Sequence, residues 1–307
     1  MSGWWIAALL VAAAYGLYRA FYVEPNRLVL ERRTVPVPGL PPGLDGLEVV
    51  HLSDLHLGGR VGDREHRLVE AVRSLRAPVL VFTGDFLEED GALGNLVPLL
   101  MEMTRDKRVF AVLGNADYAR PRRTERLVAV LEGAGVTLLR NRAVTLSAQP
   151  AEGRRGGKGG VANPARGGEE GGAASHDGRL WLVGIDDPVT GRADLDQAFA
   201  EVEPGGPVVA LVHSPDAALP AIARGASLVL CGHTHGGQIN VPLLGPVHTA
   251  TRVGRRLARG LVPVPGGSVY VNRGVGMTRI AARFLCPPEI AVLTLVRGEE
   301  EATPAAD

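Results

Sequence analysis

The stretch LEVVHLSDLHLG, residues 47–58, joins an apolar strand pattern to two side chains that can bind a metal ion. Residues 47–53 are mainly apolar and stand directly before Asp54, which predicts a buried strand. Asp54 and His56 are two positions apart, so on an extended backbone they point to the same side. Taken alone, the pair fits a surface loop equally well. His51, inside the strand, is predicted to be a buried core histidine that supports the site rather than a ligand.

Four further segments repeat this arrangement of an apolar strand that ends in metal-capable side chains. In VLVFTGDFLEED, residues 79–90, Asp85 follows a strand and a glycine, and its two carboxylate oxygens could bridge two cations. The segments VFAVLGNADY (109–118), VVALVHSPD (208–216) and LVLCGHTHGGQIN (228–240) add the candidates Asn115, His213, His233 and His235. The acidic residues that follow Asp85 are predicted to form a solvated turn rather than ligands: Glu88, Glu89 and Asp90.

Strand patterns alternate with helical spacing along the chain, which predicts a layered α/β domain. The predicted helices cover residues 64–76, 93–104 and 124–134. Further strands are predicted at 28–35, 79–83, 109–113, 136–139, 143–146, 180–185, 208–212, 228–231, 269–272 and 290–296. Residues 34–46 read as a Pro/Gly-rich connector, 150–178 as a flexible insert without large apolar residues, and 298–307 as an acidic tail.

Composition excludes several classes of protein. The chain is 46% apolar and 21% charged, which is typical of a globular protein. Lys plus Arg and Asp plus Glu both number 33, so no sequence-wide basic surface for nucleic acid is predicted. The two cysteines, Cys231 and Cys286, are too few for a disulfide framework, and we interpret them as small buried apolar residues.

The amino-terminal residues predict a membrane anchor over residues 1–23. The apolar run from Trp4 to Tyr18 is shorter than the ~20 residues of a spanning helix unless Arg19 reaches the interface. A cleaved signal peptide is the alternative, but no Lys or Arg precedes Arg19, so we expect an uncleaved anchor. Basic residues follow the run instead: Arg19, Arg27, Arg32 and Arg33. This bias predicts an inner (cell) membrane protein whose catalytic domain is cytoplasmic. An extracytoplasmic domain and a peripheral or buried helix are the alternatives.

The order Asp-x-His, Gly-Asp, Gly-Asn, His and Gly-His-x-His resembles the calcineurin-like metallophosphoesterase superfamily. The segments GGQINVPLLGP and NRGVGMTRIAARFLCPPEIAVLTL are similar to its membrane-anchored branch, which includes UDP-2,3-diacylglucosamine pyrophosphatases of lipid A synthesis. The resemblance implies a four-layer α/β/β/α sandwich over residues 24–297, with two sheets packed face to face and helices outside.

The resemblance also implies two divalent metal ions, and residues that hold them. One ion would be held by Asp54, His56, Asp85 and His235, and the other by Asp85, Asn115, His213 and His233. Asp85 would bridge the two, and Asp85, Asn115 and His213 would act in catalysis. Mixed oxygen and nitrogen ligands favour Mn, Fe or Zn over Ca. Two such cations activate water for in-line displacement at phosphorus, so no protein nucleophile is needed.

This sequence departs from the family pattern at one position. The family usually has Gly-Asn-His-Asp, whereas here Ala116 follows Asn115. Because alanine cannot donate a proton to a leaving group, we expect a phosphoanhydride substrate, which expels an already acidic phosphate. The predicted reaction is hydrolysis of UDP-2,3-diacylglucosamine, or a related phosphorylated or nucleotide-linked lipid, to lipid X and UMP. The alternatives are a phosphodiesterase or phosphatase for cell-envelope phosphoesters, and an inactive metal-binding scaffold.

A basic cluster follows the histidine motif and could bind a diphosphate or anionic lipid headgroups. Its members are Arg252, Arg255, Arg256 and Arg259, with Arg273, Arg279 and Arg283 further on. An ordinary solvated basic face is the alternative interpretation.

Overall fold

The computed structural model describes residues 4–147 and 178–298. Within these ranges the helices are α1 (Trp4–Tyr18), α2 (Asp63–Ser74), α3 (Leu93–Met103), α4 (Pro121–Gly133), α5 (Leu195–Phe199) and α6 (Ala218–Ala223). The strands are β1 (Val29–Pro38), β2 (Leu47–Leu52), β3 (Val79–Thr83), β4 (Arg108–Val112), β5 (Val136–Leu138), β6 (Arg142–Ser147), β7 (Arg179–Gly184), β8 (Val208–Leu211), β9 (Leu228–Cys231), β10 (Asn240–Val241), β11 (Gly245–Pro246), β12 (Gly260–Val264), β13 (Gly267–Val271) and β14 (Glu289–Gly298). The predicted flexible insert, 150–178, and the acidic tail, 298–307, lie outside the described residues apart from Gly178 and Gly298.

Two six-stranded sheets form the centre of the protein. The first has the strand order β1-β14-β2-β3-β4-β5, and the second has the order β12-β13-β9-β8-β7-β6. Strands β2 to β5 are mutually parallel in the first sheet, as are β7, β8, β9 and β13 in the second. Parallel strands place their carboxyl ends at one edge of a sheet, so the segments that follow β2, β3 and β4 share an edge of the first sheet, and those that follow β8 and β9 share an edge of the second.

Successive side chains along each strand point to opposite faces of the sheet, so the buried apolar side chains form three separate cores. In β2 and β3, Val49 and Val81 face the second sheet, whereas Val50 and Leu80 face helices α2, α3 and α4. The second sheet packs its other face against α5 and α6. Strands buried on both faces read as continuous apolar runs, as the sequence does here. The predicted four-layer α/β/β/α sandwich is confirmed.

The amino-terminal helix extends beyond the predicted apolar run. After α1, the chain continues through a π-helical turn (Arg19–Val23) and a 3₁₀ turn (Glu24–Asn26). The whole segment from Trp4 to Asn26 has 23 residues, which is long and apolar enough to cross a membrane, and the side chains of α1 face outward. Arg19 forms a salt bridge of 3.0 Å with Glu24, which is buried. The helix therefore fits the predicted anchor.

The predicted connector at residues 34–46 is wrong in its first part, because β1 continues through Pro38. Val35 and Val37 are buried between the sheets, and β1 pairs with β14 along its whole length. Proline is tolerated here because β1 is an edge strand, where a missing N–H need not interrupt a ladder. The hairpins β10–β11 and β12–β13 and the short helices α5 and α6 were not predicted.

Candidate metal centre

The candidate site lies where the carboxyl ends of parallel strands from both sheets meet. Asp54 follows β2, Asp85 follows β3, and Asn115 follows β4 in the first sheet, while His213 and His233 follow β8 and β9 in the second. Hydrogen bonds join the two edges. The backbone N–H of His233 donates to Asp54 Oδ2 at 2.9 Å, and His213 Nδ1 lies 2.6 Å from the carbonyl oxygen of Thr83.

Asp54, His56 and His235 form one group with ligand atoms within 4.8 Å of one another. His56 Nε2 and His235 Nε2 lie 3.8 and 3.3 Å from Asp54 Oδ1, and the two ring nitrogens are 3.2 Å apart. All three side chains are buried. This group of one carboxylate and two imidazoles could hold one metal ion.

Asp85, His213 and His233 form the second group, again with ligand atoms within 4.8 Å. His213 Nε2 lies 3.3 Å from Asp85 Oδ2 and 3.1 Å from His233 Nδ1. The same Asp85 Oδ2 lies 3.4 Å from His56 Nε2 of the first group. One carboxylate oxygen therefore faces both groups, which is the geometry required of a bridging ligand.

Two oxygen atoms that would contact metal ions lack a hydrogen-bond partner. Among the described residues, Asp54 Oδ1 and Asn115 Oδ1 are buried without a hydrogen-bond partner. Buried polar atoms are nearly always satisfied, so such atoms call for an explanation. In each group, moreover, two imidazole nitrogens lie only 3.1 to 3.2 Å apart, beside the same carboxylate oxygen. The donor set of carboxylate, amide and imidazole groups would fit two divalent cations, which would satisfy these atoms.

Electrostatics agree with a site for cations. Burial disfavours charged imidazoles, yet the carboxylates of Asp85 and Asp54, aided by Glu88 at His56, raise the pKa values of His56 and His213 to about 10. Burial also opposes ionisation of Asp85, but His213 and His56 hold its pKa well below the usual range. Burial instead lowers the pKa of His233 and brings that of His235 to about 3. Negative charge around His56 and His213, together with neutral imidazoles at His233 and His235, is suited to divalent cations.

The backbone around the site is held in uncommon conformations. Asp54, His56, Asp85, His233 and His235 all have positive φ angles, between 39° and 69°. Such residues cost free energy and cluster at functional sites, where neighbouring structure fixes them.

Two glycines permit the close approach of the segments that carry these side chains. A Cβ at Gly114 would lie 2.2 Å from Asp85 Oδ1, and one at Gly232 would lie 2.4 Å from Asp54 Oδ2. The glycines of the Gly-Asn and Gly-His motifs are therefore required by the packing of the site.

Surrounding groups fix the orientation of the imidazoles. His213 uses Nδ1 on the Thr83 carbonyl, and His233 uses Nε2 on the Ala250 carbonyl at 3.0 Å, which leaves the opposite nitrogens facing the site. His56 Nδ1 lies 2.6 Å from Glu88 Oε2. Glu88 is exposed, as predicted for a solvated turn, but its carboxylate also orients His56, which was not predicted. Glu89 and Asp90 are exposed, as predicted, and the prediction of a buried His51 is confirmed, since its Nε2 lies 2.8 Å from Thr83 Oγ1.

We expect Glu88→Gln to weaken metal binding about 10- to 100-fold, as is usual for partners of ligand histidines. The amide still fills the space but no longer stabilises the Nδ1–H of His56 as a carboxylate does. Metal titration of the purified chain measures the change. Glu89→Gln is the matched control, because Glu89 accepts from the backbone of Gly59 and does not contact His56. Equal losses in both variants would contradict the assigned role.

Asp117 is a supporting residue that sequence reasoning missed. Its buried carboxylate accepts from the backbone N–H groups of Asp85, Phe86 and Gly114, at 2.8 to 2.9 Å. It thereby ties the turn after β3 to the turn after β4. Burial and the Asp85 charge raise the pKa of Asp117 to about 7, against these hydrogen bonds. Its place two residues after Asn115 was the available signal.

The arginine cluster divides into exposed and structural members. Arg252, Arg255 and Arg256 are exposed, and Arg252 lies two residues beyond Ala250, whose carbonyl contacts His233. Arg283 is fully buried and donates to the backbone carbonyls of Arg273, Gly274, Gly276 and Cys286. Arg273 is mostly buried and pairs with Glu289. The expectation that Arg273 and Arg283 contact substrate is therefore wrong. The predicted burial of Cys231 and Cys286 is confirmed.

A pair of stacked sheets with two groups of metal-capable side chains at the strand ends defines the chain as a metal-dependent hydrolase. The chain belongs to the calcineurin-like phosphoesterase family, whose match spans residues 47–237 and so includes all seven ligand candidates. Members of this family use two divalent metal ions. The predicted class of enzyme is thus confirmed.

Three relatives resemble nearly the whole chain. An uncharacterized metallophosphoesterase, YkuE of Bacillus subtilis, is 29% identical and covers 94% of this chain and 92% of its own. The UDP-2,3-diacylglucosamine pyrophosphatase LpxG of Chlamydia muridarum is 28% identical, covering 94% and 95%. The phosphodiesterase YaeI of Escherichia coli is 28% identical, covering 94% and 96%.

Proposed function

We propose that seven side chains bind two metal ions that share Asp85. The first ion takes Asp54, His56, Asp85 and His235, and the second takes Asp85, Asn115, His213 and His233. Supporting this division are the two groups of close ligand atoms, the position of Asp85 Oδ2 between them, and the unpartnered oxygens of Asp54 and Asn115. Carboxylate, amide and imidazole ligands favour Mn, Fe or Zn.

Two bound cations supply an activated water and neutralise the phosphoryl oxygens during in-line displacement. The protein contributes the positions of the ligands. Asp85 Oδ1 accepts from the backbone N–H of Ala116 at 2.8 Å, which leaves Oδ2 turned toward both groups. The Asn115 oxygen, which is uncharged, adds a ligand without increasing the negative charge that an anionic substrate meets.

Ala116 is the observation that favours a phosphoanhydride. The methyl group stands next to Asn115, where the family resemblance implies a histidine that assists the leaving group. General acid assistance contributes about 10²- to 10⁴-fold to rate, and alanine provides none. A leaving phosphate of low basicity needs no such proton. Hydrolysis of a phosphoanhydride is therefore the reaction for which this site is best suited.

A membrane-associated lipid is the substrate class that we propose, with UDP-2,3-diacylglucosamine as its first candidate. The LpxG relative carries that pyrophosphatase activity in its name. The anchor also ends beside the catalytic domain, since the backbone N–H of Arg283 donates to the Ala20 carbonyl at 2.9 Å. A site so close to the end of a spanning helix would meet substrates held in the bilayer surface.

The comparison of leaving groups tests this proposal. We expect the purified full chain, with Mn, to release UMP from UDP-2,3-diacylglucosamine at least about 10²-fold faster than it cleaves an unactivated alkyl phosphate. Ala116→His is the matched variant, because it should accelerate only the alkyl ester. Equal turnover of both substrates by the natural sequence would contradict the leaving-group argument.

A phosphodiesterase of cell-envelope phosphoesters is the second candidate, favoured by the similarity to YaeI. This activity would cleave a phosphoester bond, whereas the first candidate activity cleaves a phosphoanhydride bond. Rapid turnover of an unactivated diester, with no release of UMP from the diphosphate-linked lipid, would select this activity. The same metal centre would serve it.

We propose that the catalytic domain faces the cytoplasm, because basic residues follow the apolar helix. They are Arg19, Arg27, Arg32 and Arg33. A carboxyl-terminal fusion to a reporter that is active only in the cytoplasm should be active in cells. Activity of a reporter that works only after export would instead place the domain outside.

A further inference from the structure

A cavity of about 280 Å³ opens beside the metal centre, on the side of His56. His56 and Glu88 form part of its lining, together with Arg60 and Arg64 after β2 and with Arg279 before β14. The cavity therefore begins at a candidate metal ligand and is bordered by three guanidinium groups. None of the seven proposed metal ligands other than His56 lines it.

The three arginines are not equivalent. Arg64 donates to Glu65 at 2.9 and 2.5 Å, so its charge is already paired. Arg60 and Arg279 are exposed and form no salt bridge or side-chain hydrogen bond with any residue that the structure describes. Two guanidinium groups with free donors thus line this cavity. Among the described residues Glu88 is its one lining carboxylate, and Glu88 is already in contact with His56.

Gln238 holds the segment that carries Arg279. Its side-chain amide donates to the carbonyls of Thr278 and Ile280, at 3.2 and 2.8 Å, and its oxygen accepts from the Thr278 N–H at 3.2 Å. Arg279 itself has a φ of 60°, which is unfavourable for a side chain of this type. A strained residue clamped on both sides next to a metal centre is typical of a functional position.

We propose that Arg279 and Arg60 bind the second phosphate of a diphosphate substrate, and that Gln238 is the positioning residue for Arg279. This inference rests on the proposed function, in which one phosphate lies at the metal centre. The next phosphate, joined through one oxygen, would lie in the cavity beside His56. Guanidinium groups suit it because their fork of donors matches phosphate oxygens bidentately.

Binding of two non-hydrolysable ligands tests the proposal without reference to turnover. Methylenediphosphonate and methylphosphonate are titrated into the full chain at a fixed free Mn concentration, and the dissociation constants are measured by calorimetry. Arg279→Ala should weaken binding of the diphosphonate about 10- to 100-fold and leave that of the monophosphonate unchanged. Arg60→Ala should act in the same direction, and Arg279→Lys should restore part of the loss because it keeps only the charge.

Arg297→Ala is the matched control, since Arg297 lies beside Asp45 at the sheet edge opposite the site and should affect neither ligand. Gln238→Ala should weaken the diphosphonate alone and by less than Arg279→Ala, with thermal unfolding of each variant confirming its fold. Equal weakening of both ligands by Arg279→Ala, or no weakening of either, would overturn the proposal. If diphosphonate binding depends on Arg279 but no diphosphate is cleaved, the proposed function fails and this subsite stands.

Discussion

Asp85→Asn should reduce kcat for phosphoanhydride hydrolysis by at least about 10³-fold, because the lost ligand charge is worth several kcal/mol at a two-metal site. Asparagine keeps the size of the side chain and can still accept from the Ala116 N–H. It removes the negative charge that faces both His56 and His213. Steady-state kinetics with saturating Mn, together with the metal content of the purified variant, measure the effect.

Asp45→Asn is the matched control for this loss. Asp45 is exposed and accepts from the backbone N–H of Arg297, at the opposite edge of the first sheet. The same chemical change there should leave both kcat and metal content unaltered. Retention of two metal ions and of near-normal kcat by Asp85→Asn would contradict the bridging role.

Removal of metal should both abolish hydrolysis and lower the midpoint of thermal unfolding by about 5–10 °C. A ligand present at 100 times its dissociation constant stabilises the native state by ~2.7 kcal/mol, and one kcal/mol shifts Tm by ~2–4 °C for a domain of this size. Without cations, the buried carboxylates of Asp54 and Asp85 are balanced by neighbouring imidazoles and backbone N–H groups. Calorimetric scans before and after dialysis against a chelator give the shift.

Adding Mn back to the chelator-treated protein is the control for effects of the chelator that do not involve the metal centre. The added metal should return activity and Tm together, and the chelator should shift the Tm of Asp85→Asn much less than that of the natural sequence. Equal shifts in the two proteins would mean that the stabilising cations bind away from Asp85.

The sequence predicted the candidate metal ligands better than it predicted the residues that hold those ligands in place. Asp54, Asp85 and His213 were recognisable because each follows an apolar strand. The carboxyl ends of parallel strands lie at the same edge of a sheet, and this does not depend on the conformation of the loops. The same periodicity fixed β2, β3, β8 and β9 to within about one residue. Apolar strand patterns and the polar residues that follow them involve neighbouring positions in the chain, so they can be recognised in a single sequence.

Long-range contacts of loop residues were not predictable from periodicity. Glu88 meets His56 across 32 positions, and nothing in its acidic neighbourhood distinguishes it from Glu89. Arg283 resembled a substrate-binding residue, but its guanidinium satisfies backbone carbonyls of a buried turn. Prolines concealed the last part of β1, residues 36–38, because their cost in a strand depends on whether that strand lies at an edge, and the edge is set by the topology of the whole sheet.

The central claim is that distant stretches of the chain hold two cations that share Asp85. Anomalous diffraction from crystals grown with Mn tests it most directly. We predict two peaks for each chain, one among Asp54, His56 and His235 and the other among Asn115, His213 and His233, with Asp85 contacting both. A single peak, or peaks remote from Asp85, would contradict the account.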